Sequence, residues 1–429
     1  MKDISLEIIR KAVDYREKDI IDWLAEIISI PSENHPPYGD EKEVQLFISN
    51  ECLRNGFKVD TFLPDEINEI KEHPSWLDGR NYSDGRKNVV SVWKGSGNGK
   101  SVLLSGHCDV VPAEEEIWKI GKPYEPLIKD GKLYGRGACD QKGGLAAAFW
   151  AVKILEELGY EPRGDIIFES IVDEEFAGGN GTLASRLRGY NTDFAILTEP
   201  TKRNIYISSL GAFLGEVFLS GKNNLAFFEK NTPNPVKAIS KIIEYFEEWE
   251  KYWQSLNSHH LYTNKDQKLM VELYEICSKN DDCPIQMGIP QKVKLSWITW
   301  CYPGMQEQEF YTVFNNFWNE KLQSDSNLKL FDFINKPAFH FVRPWEMSEK
   351  SRGVGELAEE FRLNFNEEPN IGGAPFSCDL AIYGDVGNIP TVILGPEGGN
   401  IHTGDEWVLI KDILNLIGTY MSFIKNWCG

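Results

Sequence analysis

The chain has no apolar run of roughly 18 residues or more, so no transmembrane span is read from it. Its first ten residues, Met1 to Arg10, are charged and helix-like and lack the apolar core of a signal peptide. The eight cysteines form no CxxC pair and show no disulfide-like spacing. A reducing, cytoplasmic setting is therefore expected. Positive charge is scarce: 45 Lys and Arg face 65 Asp and Glu, a net charge of −20. That balance argues against nucleic acid or an anionic membrane as partner. No repeat or low-complexity tract occurs.

What is present is a folded chain of 429 residues, 41% hydrophobic. Two or three lobes are expected for that length. Residues 3–30 and Glu41 to Gly56 carry apolar side chains at helical spacing. Phe57 to Phe62 and Lys87 to Trp93 read as strands. The polar stretch from Pro64 to Arg86, with Pro74, Gly79 and Gly85, reads as a surface loop.

The informative pattern is an apolar strand that ends in an acid or a histidine. Ser101 to Ser105 leads into Gly106-His107-Cys108-Asp109. Asp165 to Val172 leads into Asp173-Glu174-Glu175 and a glycine-rich turn. Thr192 to Thr198 precedes Glu199, and Pro390 to Leu394 precedes a segment ending in His402. A Gly-rich run, Gly135-Arg136-Gly137-Ala138-Cys139-Asp140, opens a helix but lacks both the Gly-Lys-Ser/Thr and the Gly-x-Gly-x-x-Gly phosphate signatures. Its point is Asp140. Adjacent carboxylates at the end of a buried strand need something positive facing them. Taken alone, Glu174-Glu175 also suits a solvated turn. In open α/β sheets, however, ligands bind beyond the carboxyl ends of the strands. His107, Asp140, Glu175, Glu199 and His402 are therefore expected to converge in one crevice, where two imidazoles and three carboxylates suit a pair of zinc ions. Of the Glu174-Glu175 pair, one glutamate can bind metal and the other move protons, and Asp109 is a candidate orienting partner for His107. Cobalt and manganese suit the same donors.

Residues 206–325 differ in character. Strand and helix signals alternate there, which predicts an inserted α+β lobe. Residues 254–290 read as an irregular polar loop. The expected organisation is a first catalytic part over 1–205, the insertion over 206–325 and a second catalytic part over 326–429.

These motifs resemble the di-zinc amidohydrolases and metallopeptidases, the family of acetylornithine deacetylase, succinyl-diaminopimelate desuccinylase, aminoacylase and carboxypeptidase G. The resemblance runs from about Asn88 to Glu199 and from Gly372 onward. It implies an α/β catalytic domain with a mixed, mostly parallel sheet flanked by helices, plus an inserted ferredoxin-like lid that dimerises. By the same resemblance His107, Asp140 and Glu199 hold one zinc, and Asp140, Glu175 and His402 the other. Asp109 orients His107, Glu174 is the base, and Asp140-Gln141 is a cis peptide. The implied activity is removal of an acyl group from a small N-acyl amino acid or related amine. A dipeptidase or carboxypeptidase is the alternative, and a metal-binding homologue without activity is the third reading. The sequence departs from the family in the lid, where Gly221 to Phe228 has no histidine, and at Ser377-Cys378-Asp379-Leu380-Ala381, which has no arginine. Asn223, Asn224, His259 and His260 are candidate replacements for the lid donor, and Arg343 and Arg352 for binding a substrate carboxylate.

Overall fold

The computed structural model describes residues 4–113, 117–176, 179–221, 233–263, 268–278 and 289–429. The chain divides into two compact units. One comprises Met1–Ser208, Glu346–Ala374 and Cys378–Gly429, and the other Ser209–Trp345 with Pro375–Ser377.

The first unit is built on a nine-stranded sheet. From one edge the strands run Lys58–Phe62, Asn88–Trp93, Ile166–Ile171, Val102–His107, Ala195–Leu197, Thr391–Ile393, Ile205–Ser209 and Trp345–Glu346, and Ile371–Ala374 also pairs with Ile205–Ser209. The four central strands, Ile166–Ile171 to Thr391–Ile393, are mutually parallel. Those flanking them are antiparallel. The expected mixed sheet is what forms, and its parallel pairing runs through these four strands. Central strands buried on both faces have no room for alternation. All six residues of Val102–His107 and of Ile166–Ile171 are buried.

Helices cover the sheet. Leu6–Ser29 starts at Ser5, whose hydroxyl accepts from Ile8 N. Trp23 on this helix stacks against Phe149 of Gly143–Glu157, with ring centroids 4.7 Å apart. Ile410–Cys428, the last helix, buries Phe423 and Trp427 against Phe194. The Gly-rich run before Gly143–Glu157 serves close packing: a Cβ on Gly144 would lie 2.0 Å from the carbonyl oxygen of Thr198. Only glycine lets the Asp140 loop come that close to the strand end carrying Glu199.

The stretch from Pro64 to Arg86 departs from the surface loop expected of it. Two short 3₁₀ turns, Pro64–Glu66 and Ile70–Glu72, fold it inward. Ile70, Tyr82 and Arg86 are fully buried, and Trp76 nearly so. Polar composition misled because Arg86 is buried against a partner charge, Glu41, at 3.0 Å.

The second unit is a four-stranded antiparallel sheet in the spatial order Val271–Cys277, Lys292–Cys301, Gly211–Ser220, Asp332–Pro337. With helices Pro235–Leu256 and Glu307–Ser324, the chain order is β-α-β-β-α-β, the ferredoxin-like arrangement. Asn234 caps the first helix, its side chain accepting from Val236 N and Lys237 N. Both helices press aromatic side chains onto the sheet, and Trp297 stacks on Phe314 at 4.8 Å. Two strands were not expected. Val271–Cys277 lies within the segment read as irregular, and Asp332–Pro337 lies beyond it. Both are edge strands with mostly exposed side chains. The first also shifts register between Leu273 and Glu275, which breaks its alternation.

Candidate metal centre

The parallel centre of the sheet sets the site. His107 ends its strand directly opposite Ile171, so the imidazole and the acid turn Asp173-Glu174-Glu175 leave the sheet side by side. On the other side Ser105 lies opposite Leu197, two residues before Glu199. Asp140 arrives from the loop before Gly143–Glu157, across a cis Asp140–Gln141 peptide as the resemblance implied. His402 arrives from the segment after Thr391–Ile393.

The named side chains lie close together. His107 Nε2 lies 3.1 Å from Asp140 Oδ1 and 3.8 Å from both Glu174 Oε2 and Glu199 Oε1. His402 Nε2 lies 2.8 Å from Glu175 Oε2 and 3.4 Å from Asp140 Oδ2. Asp140 thus stands between the two imidazoles. Two three-residue sets, His107–Glu174–Glu199 and His107–Asp140–Glu175, each have ligand-type atoms within 4.8 Å of one another.

The electrostatics are those of an acid cluster short of positive charge. Burial pushes Glu174 well above the usual carboxylate range; His107 opposes this, while Asp379, Glu199 and Glu175 add to it. Burial likewise raises Glu175, Glu199 and Asp379 to about 7. Burial acts on Asp140 too, but hydrogen bonds from His107 and His402 outweigh it and hold Asp140 low. His107 is raised although burial opposes it, by Glu199, Asp109 and Asp140. Two imidazoles can balance only two of the five carboxylates Asp140, Glu174, Glu175, Glu199 and Asp379. Glu175 Oε1 is buried with no hydrogen-bond partner. Mixed imidazole and carboxylate donors around an excess of buried negative charge fit divalent cations.

The loops are held by carboxylates outside this set. Asp109 Oδ2 accepts from the backbone N–H of Glu174 at 2.9 Å and of Glu175 at 3.1 Å, and from Asn34 Nδ2 at 2.9 Å. His107 Nδ1 lies 2.9 Å from the main-chain oxygen of Asp109 and 3.6 Å from its Oδ1. It is thus the Asp109 carbonyl that lies at hydrogen-bond distance from the imidazole, while the Asp109 carboxylate accepts from the amides of the acid pair. Glu406 does the same for Asp140. One of its oxygens accepts from Cys139 N and Asp140 N at 2.8 and 3.0 Å. The other accepts from Gly137 N and Arg136 Nη1 at 2.8 and 3.0 Å. Gln141 fastens Glu199, donating from Nε2 to its carboxylate and accepting from Thr198 Oγ1 at 2.8 Å. The only sequence signal for Glu406 was its place four residues after His402, and Asn34 had none.

The remaining candidates fall elsewhere. Asn223 and Asn224 lie outside the described residues. His259 and His260 belong to the second unit, where His259 lies beside Tyr262, Tyr302 and His260. Arg343 also belongs to that unit, and Arg352 is paired with Glu356.

A cluster of imidazoles and buried carboxylates at the carboxyl edge of a mixed sheet defines a hydrolase of the metallopeptidase and amidohydrolase class. The chain belongs to peptidase family M20/M25/M40, whose profile it matches over residues 103–426. It is similar to the N-formyl-4-amino-5-aminomethyl-2-methylpyrimidine deformylase of Bacillus subtilis, with 26% identity covering 98% of this chain and 97% of the relative. The enzyme of that name from Halalkalibacterium halodurans is 28% identical, with 97% and 96% covered. Among solved structures, the fold resembles the di-peptidase Dug1p from Saccharomyces cerevisiae, with a TM-score of 0.77, 15% identity, and 99% and 98% covered.

Proposed function

We propose that the chain is a metal-dependent amidohydrolase that removes a short acyl group from the nitrogen of a small N-acylated amine or amino acid. One observation carries this reading: Glu174, buried and raised, stands beside His107 within an imidazole and carboxylate set that fits two divalent cations. His107, Asp140 and Glu199 would hold one ion and Asp140, Glu175 and His402 the other, with zinc as first candidate and cobalt or manganese as alternatives. When bound, such ions polarise the acyl carbonyl and acidify a water. Glu174 takes the proton from that water and carries it to the departing amine nitrogen. Asp109 and Glu406 keep the acid turn and the Asp140 loop in register. The deformylase names of the relatives make a formamide of a primary amine the first substrate to try. A homodimer through the second unit and a cytoplasmic setting complete this reading.

The test is amine release from N-formyl, N-acetyl and N-succinyl amines and from dipeptides, with metal content measured and Glu174→Ala as control. The expected result is turnover of an N-acyl amine that vanishes in the control. Preferential cleavage of dipeptides would replace deacylation by peptidase activity. A metal-loaded protein indistinguishable from Glu174→Ala on every compound would sink the catalytic reading.

A further inference from the structure

The inward-folded stretch from Pro64 to Arg86 packs against the acid turn and contacts it at both ends. Asp173, the residue before Glu174, has a left-handed backbone with φ of 63°. Its carboxylate is fully buried. Tyr82 donates its hydroxyl to Asp173 Oδ2 at 2.6 Å, and Asn34 Nδ2 donates to Oδ1 at 3.1 Å. Arg80 Nε lies 3.4 Å from Oδ1, and Arg86 Nη1 3.8 Å from it. Beyond the acid pair, Arg80 Nη2 donates to the main-chain oxygen of Phe176 at 3.0 Å. A single guanidinium, its side chain only 4% exposed, therefore donates a hydrogen bond to the residue after Glu175 and sets its charge, without a hydrogen bond from Nε, 3.4 Å from the carboxylate of the residue before Glu174.

We propose that Arg80, seconded by Tyr82, is a positioning residue for Glu174 and Glu175, which it holds in place without touching the reacting atoms. The physical need is clear. Glu174 and Glu175 repel each other and the neighbouring Glu199, Asp140 and Asp379. A left-handed Asp173 does not hold such a turn by itself. A planar guanidinium, with donors in several fixed directions, can grip a carboxylate and a carbonyl together, and a lysine cannot. Tyr82 is anchored in turn by Asn180 Nδ2, which donates to its hydroxyl at 3.0 Å, and the Arg86 guanidinium lies over its ring. The clamp is thus rigid on the side away from the site. The inference rests on Glu174 as the base of the proposed function, but its structural half stands on geometry alone.

The experiment compares Arg80→Ala and Tyr82→Phe with the parent protein as purified. The second variant keeps the buried ring and loses only the hydroxyl with its hydrogen bonds to Asp173 and from Asn180, so it is the milder test of the fold. Three quantities are read: kcat and KM on the substrate found by the amine-release panel, metal affinity, and hydrogen exchange of the Glu174 and Glu175 amides. Both variants are expected to lose about ten- to a hundredfold in kcat, as small misplacements of a catalytic group do. KM should stay within about twofold, metal affinity should fall as Glu175 loosens, and the two amides should exchange about tenfold faster or more. Unchanged kcat and unchanged exchange, even with a lower melting temperature, would reduce the clamp to ordinary packing and overturn the proposal. A fall in kcat without faster exchange would overturn it as well. If the parent cleaves no N-acyl compound, the proposed function fails separately, and exchange alone decides: faster supports the clamp, unchanged removes it.

Discussion

The two units solve the problem of an interior in opposite ways. The first buries charge. Arg86 meets Glu41 and Arg136 meets Glu406, each at 3.0 Å, Arg186 meets Glu169, and Lys142 donates to the carbonyls of Ile27 and Ile30 at 2.8 and 3.0 Å. The second buries rings. Its core is Trp249, Trp297, Phe246, Phe310, Phe314 and Trp318, and among the described residues its buried polar side chains are only Ser209, Ser296 and Thr299. Buried ion pairs add little net stability, yet removing one partner is strongly destabilising. Their value in the first unit is geometric: they fix loops whose carboxylates would otherwise repel. Ring packing is tolerant of position and sensitive to volume. The first unit should therefore fail when a charge is deleted and the second when a volume is.

The sharpest break would come at Glu174. Glu174→Gln keeps the shape and removes the proton carrier, so turnover should fall about a hundred- to ten-thousandfold. Metal content and melting temperature should be unchanged. A variant that retains most of its turnover would show that another group carries the proton.

Next in size are two deletions, one for each interior. Glu406→Ala strips four donors of their acceptor and removes the buried carboxylate that faces Arg136, for an expected loss of about 3–5 kcal/mol. Because those donors include Asp140 N, metal affinity should fall with stability, as metal titration would reveal. Trp249→Ala opens a cavity of a large ring and should also cost about 3–5 kcal/mol. Here metal affinity should hold while unfolding of the second unit shifts, a contrast visible by calorimetry. Equal loss of metal in both variants would erase the distinction between the interiors.

The same contrast explains what was legible in the sequence. The strand ends were readable because each pairs a local apolar run with the acid or histidine that follows it, as at Leu103 to His107 and Ile166 to Glu175. The cis peptide at Asp140 and the division of ligands came only with the family resemblance. The clamp stretch was opaque, because burial of Tyr82 is explained by Asp173, 91 residues away, and nothing in the local pattern announces that partner. Glu406 was visible as part of a motif, but its purpose appears only once the amides of Gly137, Cys139 and Asp140 are seen pointing at it. Periodicity reports apolar faces, and so the aromatic helices Pro235–Leu256 and Glu307–Ser324 were found while the exposed edge strands beside them were missed.

The smallest expected effect tests whether the second unit also depends on single polar contacts. Asn234 is its clearest helix cap: Oδ1 accepts from Val236 N at 2.9 Å and from Lys237 N at 3.4 Å, at the head of a helix that begins with Pro235. Asn234→Ala leaves those two amides to water at an exposed helix end, so the loss should be about 1 kcal/mol. Asn234→Gly should lose only a few tenths, since glycine tolerates the cap backbone. Thermal unfolding of the two variants measures the difference. A loss for Asn234→Ala approaching that of Trp249→Ala would mean that the cap, and not the ring core, limits this unit. The division into a charge-held and a volume-held interior would then give way to one in which both units hang on individual hydrogen bonds.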